Sequence, residues 1–254
     1  ASYLPCNTAL AATWNRALAH ETGKLLGREA RGRGKDMILA PGINIMRSPL
    51  CGRSFEYMGE DPYLVSEMVV PLVQGIEEND VSSCVKHFVA NNQETRRIDV
   101  DVEVSERALR EIYLPGFEAA VRRGKAKGIM GAYNKLGGTH CCHHDGLLNG
   151  ILRREWGFEG IIMTDWTTTN DGGGSSAAKC LWAGNDLIMP GTMSDQKEIM
   201  DAVGGLGAQF LDGRYLDECA LRMLKVILAS DAYKGAESYL ADKELDCIME
   251  ETGD

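Results

Sequence analysis

The sequence predicts an α/β fold: a (β/α) barrel-like, TIM-type domain with parallel strands, and an incomplete one. Three observations lead there. Short β-type runs alternate with longer helical patterns, and alternation implies a parallel sheet because each crossover returns the chain to the same edge. The runs are short and mainly apolar, which fits strands covered on both faces. They recur at spacings of roughly 25 to 45 residues, which suits a barrel better than an open sheet. No G-x-G-x-x-G follows any of them, so a dinucleotide fold lacks its main signal. A closed barrel of this type has about eight strands; only five runs are present.

In chain order, Leu10, Trp14, Leu18, Leu25 and Leu26 predict one helix over about residues 8–30. The strand "MILAPGIN" follows. In "EDPYLVSEMVVPLVQGI", Asp61 and Pro62 read as N-cap and first helical residue, and Pro71 should kink the helix. After the strand "VSSCVKHFV" comes the helix "SERALREIYLPGFEAAVRRG", with an apolar stripe of Leu109, Ile112, Tyr113, Phe117, Ala120 and Val121. The strand "KGIMGAYN", the helix "DGLLNGILRREWG" and the strand "EGIIMTDW" continue the rhythm. A short helix near 175–183, the strand "NDLIMP" and helical patterns near 195–205 and 214–230 complete it. Residues 1–232 are expected to form the partial barrel. Residues 233–254, polar and acidic, are expected to be a tail or linker.

Bulk properties narrow the function. A formal net charge of -10 argues against nucleic-acid or anionic-membrane partners. No apolar run approaches the roughly 20 residues of a membrane-spanning helix, and the chain from Ala1 shows no charged-then-apolar leader. The eight cysteines are scattered, as thiols in a reducing compartment are, so a cytoplasmic location is expected. In "THCCHHDG" the side chains from His140 to His144 are consecutive and point apart, unlike the paired spacing of a structural zinc site, so no metal is expected. "GGGSSAAK" lacks the final G-K-[ST] and the strand–loop–helix setting of a phosphate cradle. It reads instead as a loop, Gly172 to Gly174, able to sit near a substrate. No cofactor is expected.

Parallel barrels carry their chemistry at the C-terminal strand ends. Here those ends hold Lys86-His87, Tyr133-Asn134, Asp165-Trp166 and Met189-Pro190. Taken singly, Asp165 could cap a helix, Lys86 and His87 could be solvated, and Tyr133 could be core. Capping does not require Lys, His, Tyr and Trp together. A carboxylate among cations and aromatic rings suits a carbohydrate reaction: the carboxylate attacks an anomeric carbon while polar side chains fix the ring. Cationic neighbours are expected to keep Asp165 ionised.

The segments "GRSFEYMGEDP", "KHFVANNQETRRIDVDVEVSERALREIYLPGFEAAV", "GIMGAYNKLGG", "LLNGILRREWGFEGIIMTDW" and "AGNDLIMPG" resemble, in order and spacing, the barrel domain of glycoside hydrolase family 3. The resemblance covers most of residues 5–230. It implies a retaining, exo-acting β-glycosidase of β-glucosidase type, with a β-glycoside or oligosaccharide substrate. By that resemblance Asp165 is the catalytic nucleophile, and Lys86 and His87 are ligands of sugar hydroxyls. Arg97 matches the family's arginine after "QET" and one variable residue, here Arg96. Arg53 is another ligand near the sugar, Tyr133 lies close to the nucleophile, Met130 lines the same pocket and Trp166 forms a wall. In most of the family the acid/base glutamate comes from a separate α/β sandwich domain. A subset uses a loop after "KHFPG", where this chain reads "KHFVANNQ". Family barrels carry, upstream of the part that matches here, a segment with a sugar-gripping Asp and Arg. The implied partner is therefore a complementing α/β sandwich domain or second chain, without which little or no turnover is expected. Two other readings stay open: a noncatalytic sugar-binding or assembly remnant, and a Schiff-base aldolase acting through Lys86.

Overall fold

A computed structural model describes residues 2–170, 174–206 and 210–230. The tail expected at 233–254, and Gly172 of the glycine loop, lie outside them.

The single helix expected at 8–30 is two: α1, Asn7–Ala12, and α2, Arg16–Gly32. Trp14 between them takes a positive φ of 54°, and the Asn15 side chain accepts from Leu18 N–H to start α2 afresh. After β1, Met37–Ile38, a 3-10 turn at Ser54–Glu56 leads to α3, Pro62–Glu77. Asp61 caps α3 on Tyr63 N–H, Pro62 opens it, and the helix continues through Pro71. Helices α2 and α3 approach so closely that a Cβ on Gly23 would run into the Leu72 carbonyl, which is why glycine stands there.

Next come β2, Ser82–Phe88, and the two-residue strand β3, Asp101–Val102. The expected helix over 105–124 begins as α4, Glu106–Ala108, widens into a π turn over Leu109–Tyr113 and resumes as α5, Pro115–Arg122. Strands β4, Gly128–Gly131, β5, Lys135–Leu136, and β6, Thr139–His140, precede a helix of π geometry over Gly146–Glu155. Then follow β7, Ile161–Met163, and helices α6, Ala177–Trp182, α7, Met193–Val203, and α8, Gly213–Ala229.

The main sheet is parallel in the order β1-β2-β4-β7. The fifth expected strand, 185–190, joins it through one parallel bridge, Leu187 to Met163. Register shifts between Val85 and Phe88, where β2 runs beside β4. Such a bulge re-aims side chains, and the residues within it are Lys86 and His87. Strands β3, β5 and β6 form a separate small sheet, with a β5–β6 hairpin turning at Gly137 and Gly138, both at positive φ.

The outer face of the main sheet, with Val85, Phe88, Ile129 and Ile162, packs against Val69, Leu72, Phe117 and Ala120 of α3 and α5. Cys84, Met130, Ile161 and Met163 form a second cluster, joined by Met223 and Val226 of α8. Asp186 ties α8 to the sheet. Its carboxylate takes Arg153 Nη2 at 2.5 Å, Arg222 Nε at 2.6 Å and Ile162 N–H at 2.7 Å. Among the described residues no helix is long and apolar enough to cross a membrane.

Candidate active site

Strand β7 ends at Met163, and two residues on lies Asp165, only 6% exposed. Its Oδ1 accepts from the Trp166 N–H at 2.7 Å, while Oδ2 has no hydrogen-bond partner among the described residues. The atom facing Oδ2 is His87 Nε2, at 3.7 Å, too far for a hydrogen bond. His87 is brought there by the β2 bulge and gripped by Asn44. That side chain accepts from the His87 N–H and donates to the His87 carbonyl, both at 2.8 Å.

Three cations surround the carboxylate, each itself anchored. Lys86 Nζ pairs with Glu56 Oε1 at 3.0 Å, and Arg53 binds Glu56 Oε2 at 2.7 Å. Arg97 Nη1 holds Glu94 Oε2 at 2.7 Å while its guanidinium lies 4.1 Å above the Tyr133 ring. The Tyr133 hydroxyl donates to the Trp166 carbonyl at 2.5 Å, fixing the backbone that carries an indole 50% exposed.

The electrostatics follow from burial set against those charges. Burial raises the Asp165 carboxyl above its ordinary value; the Trp166 N–H, Arg53, Arg97 and Lys86 pull the other way and do not outweigh it. The three cations act in the direction expected of them, favouring the ionised carboxylate, against burial. Burial also pushes His87 well below the usual imidazole value, helped by Arg53, Lys86 and Arg97, so it stays neutral. At Glu56 the balance reverses: burial raises the carboxyl, but Lys86 and Arg53 bring it below the ordinary carboxylate range.

The site residues expected from the sequence thus mostly converge. Arg53, Lys86, His87, Arg97, Tyr133 and Trp166 gather around Asp165 through direct contacts or their charges. Met130, as buried as His87, pairs across the sheet with Met163, two residues before Asp165, and packs with Cys84. The pairing of Lys86 with Glu56 suits a hydroxyl-binding ammonium more than the desolvated amine of a Schiff-base enzyme. The sequence reading missed Asn44, Glu56, Tyr57, Asn91 and Glu94, although all but Asn44 lie in or beside the quoted "GRSFEY" and "KHFVANNQE" segments. The histidine loop is spent on structure. His140 Nδ1 meets the Tyr133 carbonyl and His143 Nδ1 accepts from the Ser176 N–H. Among the described residues no group of three such side chains is placed to hold a metal.

Comparison with known proteins bears on the family and the fold. The Glycosyl hydrolase family 3 N terminal domain matches residues 1–224. The chain is 58% identical over 167 residues to beta-glucosidase BoGH3A of Bacteroides ovatus, covering 66% of this chain and 22% of that one. It is 38% identical over 242 residues to an exo-alpha-(1->6)-L-arabinopyranosidase of Bifidobacterium longum, covering 95% and 31%. Among solved structures, beta-glucosidase 3B of Thermotoga neapolitana in complex with glucose superposes with a TM-score of 0.89 at 45% identity, over 99% of this chain and 36% of that one. The chain therefore spans between 22% and 31% of the length of these two curated relatives.

Proposed function

We propose, from the premise that this chain belongs to glycosyl hydrolase family 3, that it carries the nucleophile and sugar-gripping part of a retaining, exo-acting β-glycosidase of β-glucosidase type. The observation that carries the reading is Asp165 Oδ2: buried, without a hydrogen-bond partner among the described residues, at a strand end, and in the field of Arg53, Lys86 and Arg97.

In the first step Oδ2 attacks C1 of the terminal sugar. The C1–Oδ2 bond forms as the C1–O glycosidic bond breaks, and the leaving oxygen takes a proton from a general acid. In the second, water attacks C1, its proton passes to the same group acting as base, and the Asp165 carboxylate is released with net retention. Arg53, Lys86, His87 and Arg97 supply donors for ring hydroxyls. Trp166 offers an apolar face to the sugar. Among the described residues the carboxyls beside the site do not serve as the acid: Glu56 and Glu94 are both committed to ion pairs, and Glu56 is held too acidic to donate a proton near neutrality. A complementing α/β sandwich domain or second chain would supply it, in keeping with relatives several times longer.

A reagent that needs no acid tests this reading. Incubation with 2,4-dinitrophenyl 2-deoxy-2-fluoro-β-D-glucoside, and in parallel the α-L-arabinopyranoside analogue, should add one glycosyl mass to the peptide bearing Asp165. D165N should remain unlabelled. A folded wild-type chain that binds glucose by calorimetry yet takes no label would overturn the nucleophile and favour the sugar-binding remnant instead.

A further inference from the structure

One buried group beside the site has a task the chemistry above leaves unassigned. The Tyr57 ring is 1% exposed, and its hydroxyl lies 3.2 Å from His87 Nδ1 and 2.8 Å from Asn91 Nδ2. We propose that Tyr57 is a positioning residue that locks His87 in the Nε2–H tautomer, so that the imidazole meets the site as a hydrogen-bond donor.

The assignment follows from which groups can only give and which can only receive. Arg97 has donors alone, and its Nη1 contacts Glu94 Oε2. Glu94, so engaged as a carboxylate, receives at both oxygens. The Asn91 atom 3.0 Å from Glu94 Oε1 must therefore be the amide nitrogen, which settles which way this amide faces. The same nitrogen contacts the Tyr57 oxygen, so that oxygen receives from Asn91. The remaining Tyr57 proton has His87 Nδ1 as its partner. Nδ1 then receives, and the ring proton resides on Nε2, the atom that faces Asp165 Oδ2. Donation thus converges on Glu94 from Arg97 and Asn91, and runs from Asn91 through Tyr57 to His87.

The consequence rests on the reading of Asp165 as nucleophile; the tautomer itself does not. A sugar hydroxyl between His87 and Asp165 can receive from Nε2–H and donate to Oδ2. With the proton on Nδ1, both flanking atoms would be acceptors competing for one hydroxyl hydrogen.

The test is long-range 1H–15N correlation NMR of the chain labelled with 15N-histidine at pH 7, with His87 assigned by the signal lost in H87Q. The wild type should show a pyridine-type Nδ1 and a pyrrole-type Nε2. Y57F keeps the ring and deletes the proton, and should convert His87 to a mixture of tautomers while the other histidines stay unchanged. N91D, which gives the Tyr57 hydroxyl a carboxylate to turn toward, should release His87 in the same way. It decides the matter if Y57F does not fold. A wild-type His87 protonated at Nδ1, or a His87 pattern unmoved in the folded variant, overturns the proposal. Failure of Asp165 to take the fluoroglycoside label, with the tautomer locked as expected, would sink the catalytic reading and leave this one standing.

Discussion

Burial is the strongest influence on the Asp165 carboxyl and raises it, ahead of the Trp166 N–H and the three cations that lower it. A carboxyl raised in the folded state binds its proton more tightly there than in the unfolded chain. Its contribution therefore favours folding at low pH and is lost as pH rises through the folded value. D165N removes that penalty. We expect it to melt at a higher temperature than wild type at pH 7, with the gap closing as pH falls toward 4. His87 gives the opposite slope. Its imidazole is pushed down, so the unfolded state binds the extra proton first, and stability is complete above the unfolded value of about 6.5 and falls below it. Between pH 6.5 and 5, wild type should lose up to about 1.4 kcal/mol per pH unit more than H87N, measured by urea titration. A parallel decline in the two proteins would show that His87 takes up its proton in the folded state. Asp165, Lys86 and His87 were legible because they stand at the ends of apolar runs, where the barrel rule points. Tyr57, Asn91 and Glu94 were not, because no periodicity marks a loop residue whose partner arrives from 30 or more positions away, as Tyr57 does for His87 and Asn91 for Tyr57.

Elements with strong end signals were read correctly, and those built on irregular backbone were not. Helix α3 starts where Asp61 and Pro62 say it should. The break between α1 and α2 escaped notice because no glycine or proline marks it; a tryptophan takes the positive φ instead. The π turns at Leu109–Tyr113 and through Gly146–Glu155 keep an apolar stripe close enough to helical spacing to be read as ordinary helix. Strands β3, β5 and β6, two residues each, are too short to alternate visibly. Asp186 is the fastening that joins β7, the π helix and α8. Its loss leaves two half-buried guanidinium groups without this shared counter-ion, Arg222 keeping only Glu218 at 3.6 Å, so D186A should cost about 3 kcal/mol. The midpoint of chemical unfolding reports it; a cost below about 1 kcal/mol would mean that α8 is held by its apolar contacts alone.

On the scale of the whole molecule, the five parallel segments make a partial barrel wall. Fold class was visible in the alternation of runs; how α8 completes the wall was not, since amphipathicity says which side of a helix is apolar but not which surface it meets. Cys219, Met223 and Val226 turn inward, whereas Leu221, Leu224, Ile227 and Leu228 are exposed. Among the described residues nothing packs over the outer stripe of α8, so that stripe contributes little to the folding of the described part. Exchanging Leu221 and Leu224 for lysine should therefore shift the melting midpoint by no more than the ~0.5 kcal/mol typical of surface changes. It should also raise the concentration at which the chain stays in solution, because an uncovered hydrocarbon strip promotes clumping. For anyone handling this polypeptide alone, shelf life and thermal strength are then separate problems, governed by opposite sides of one helix.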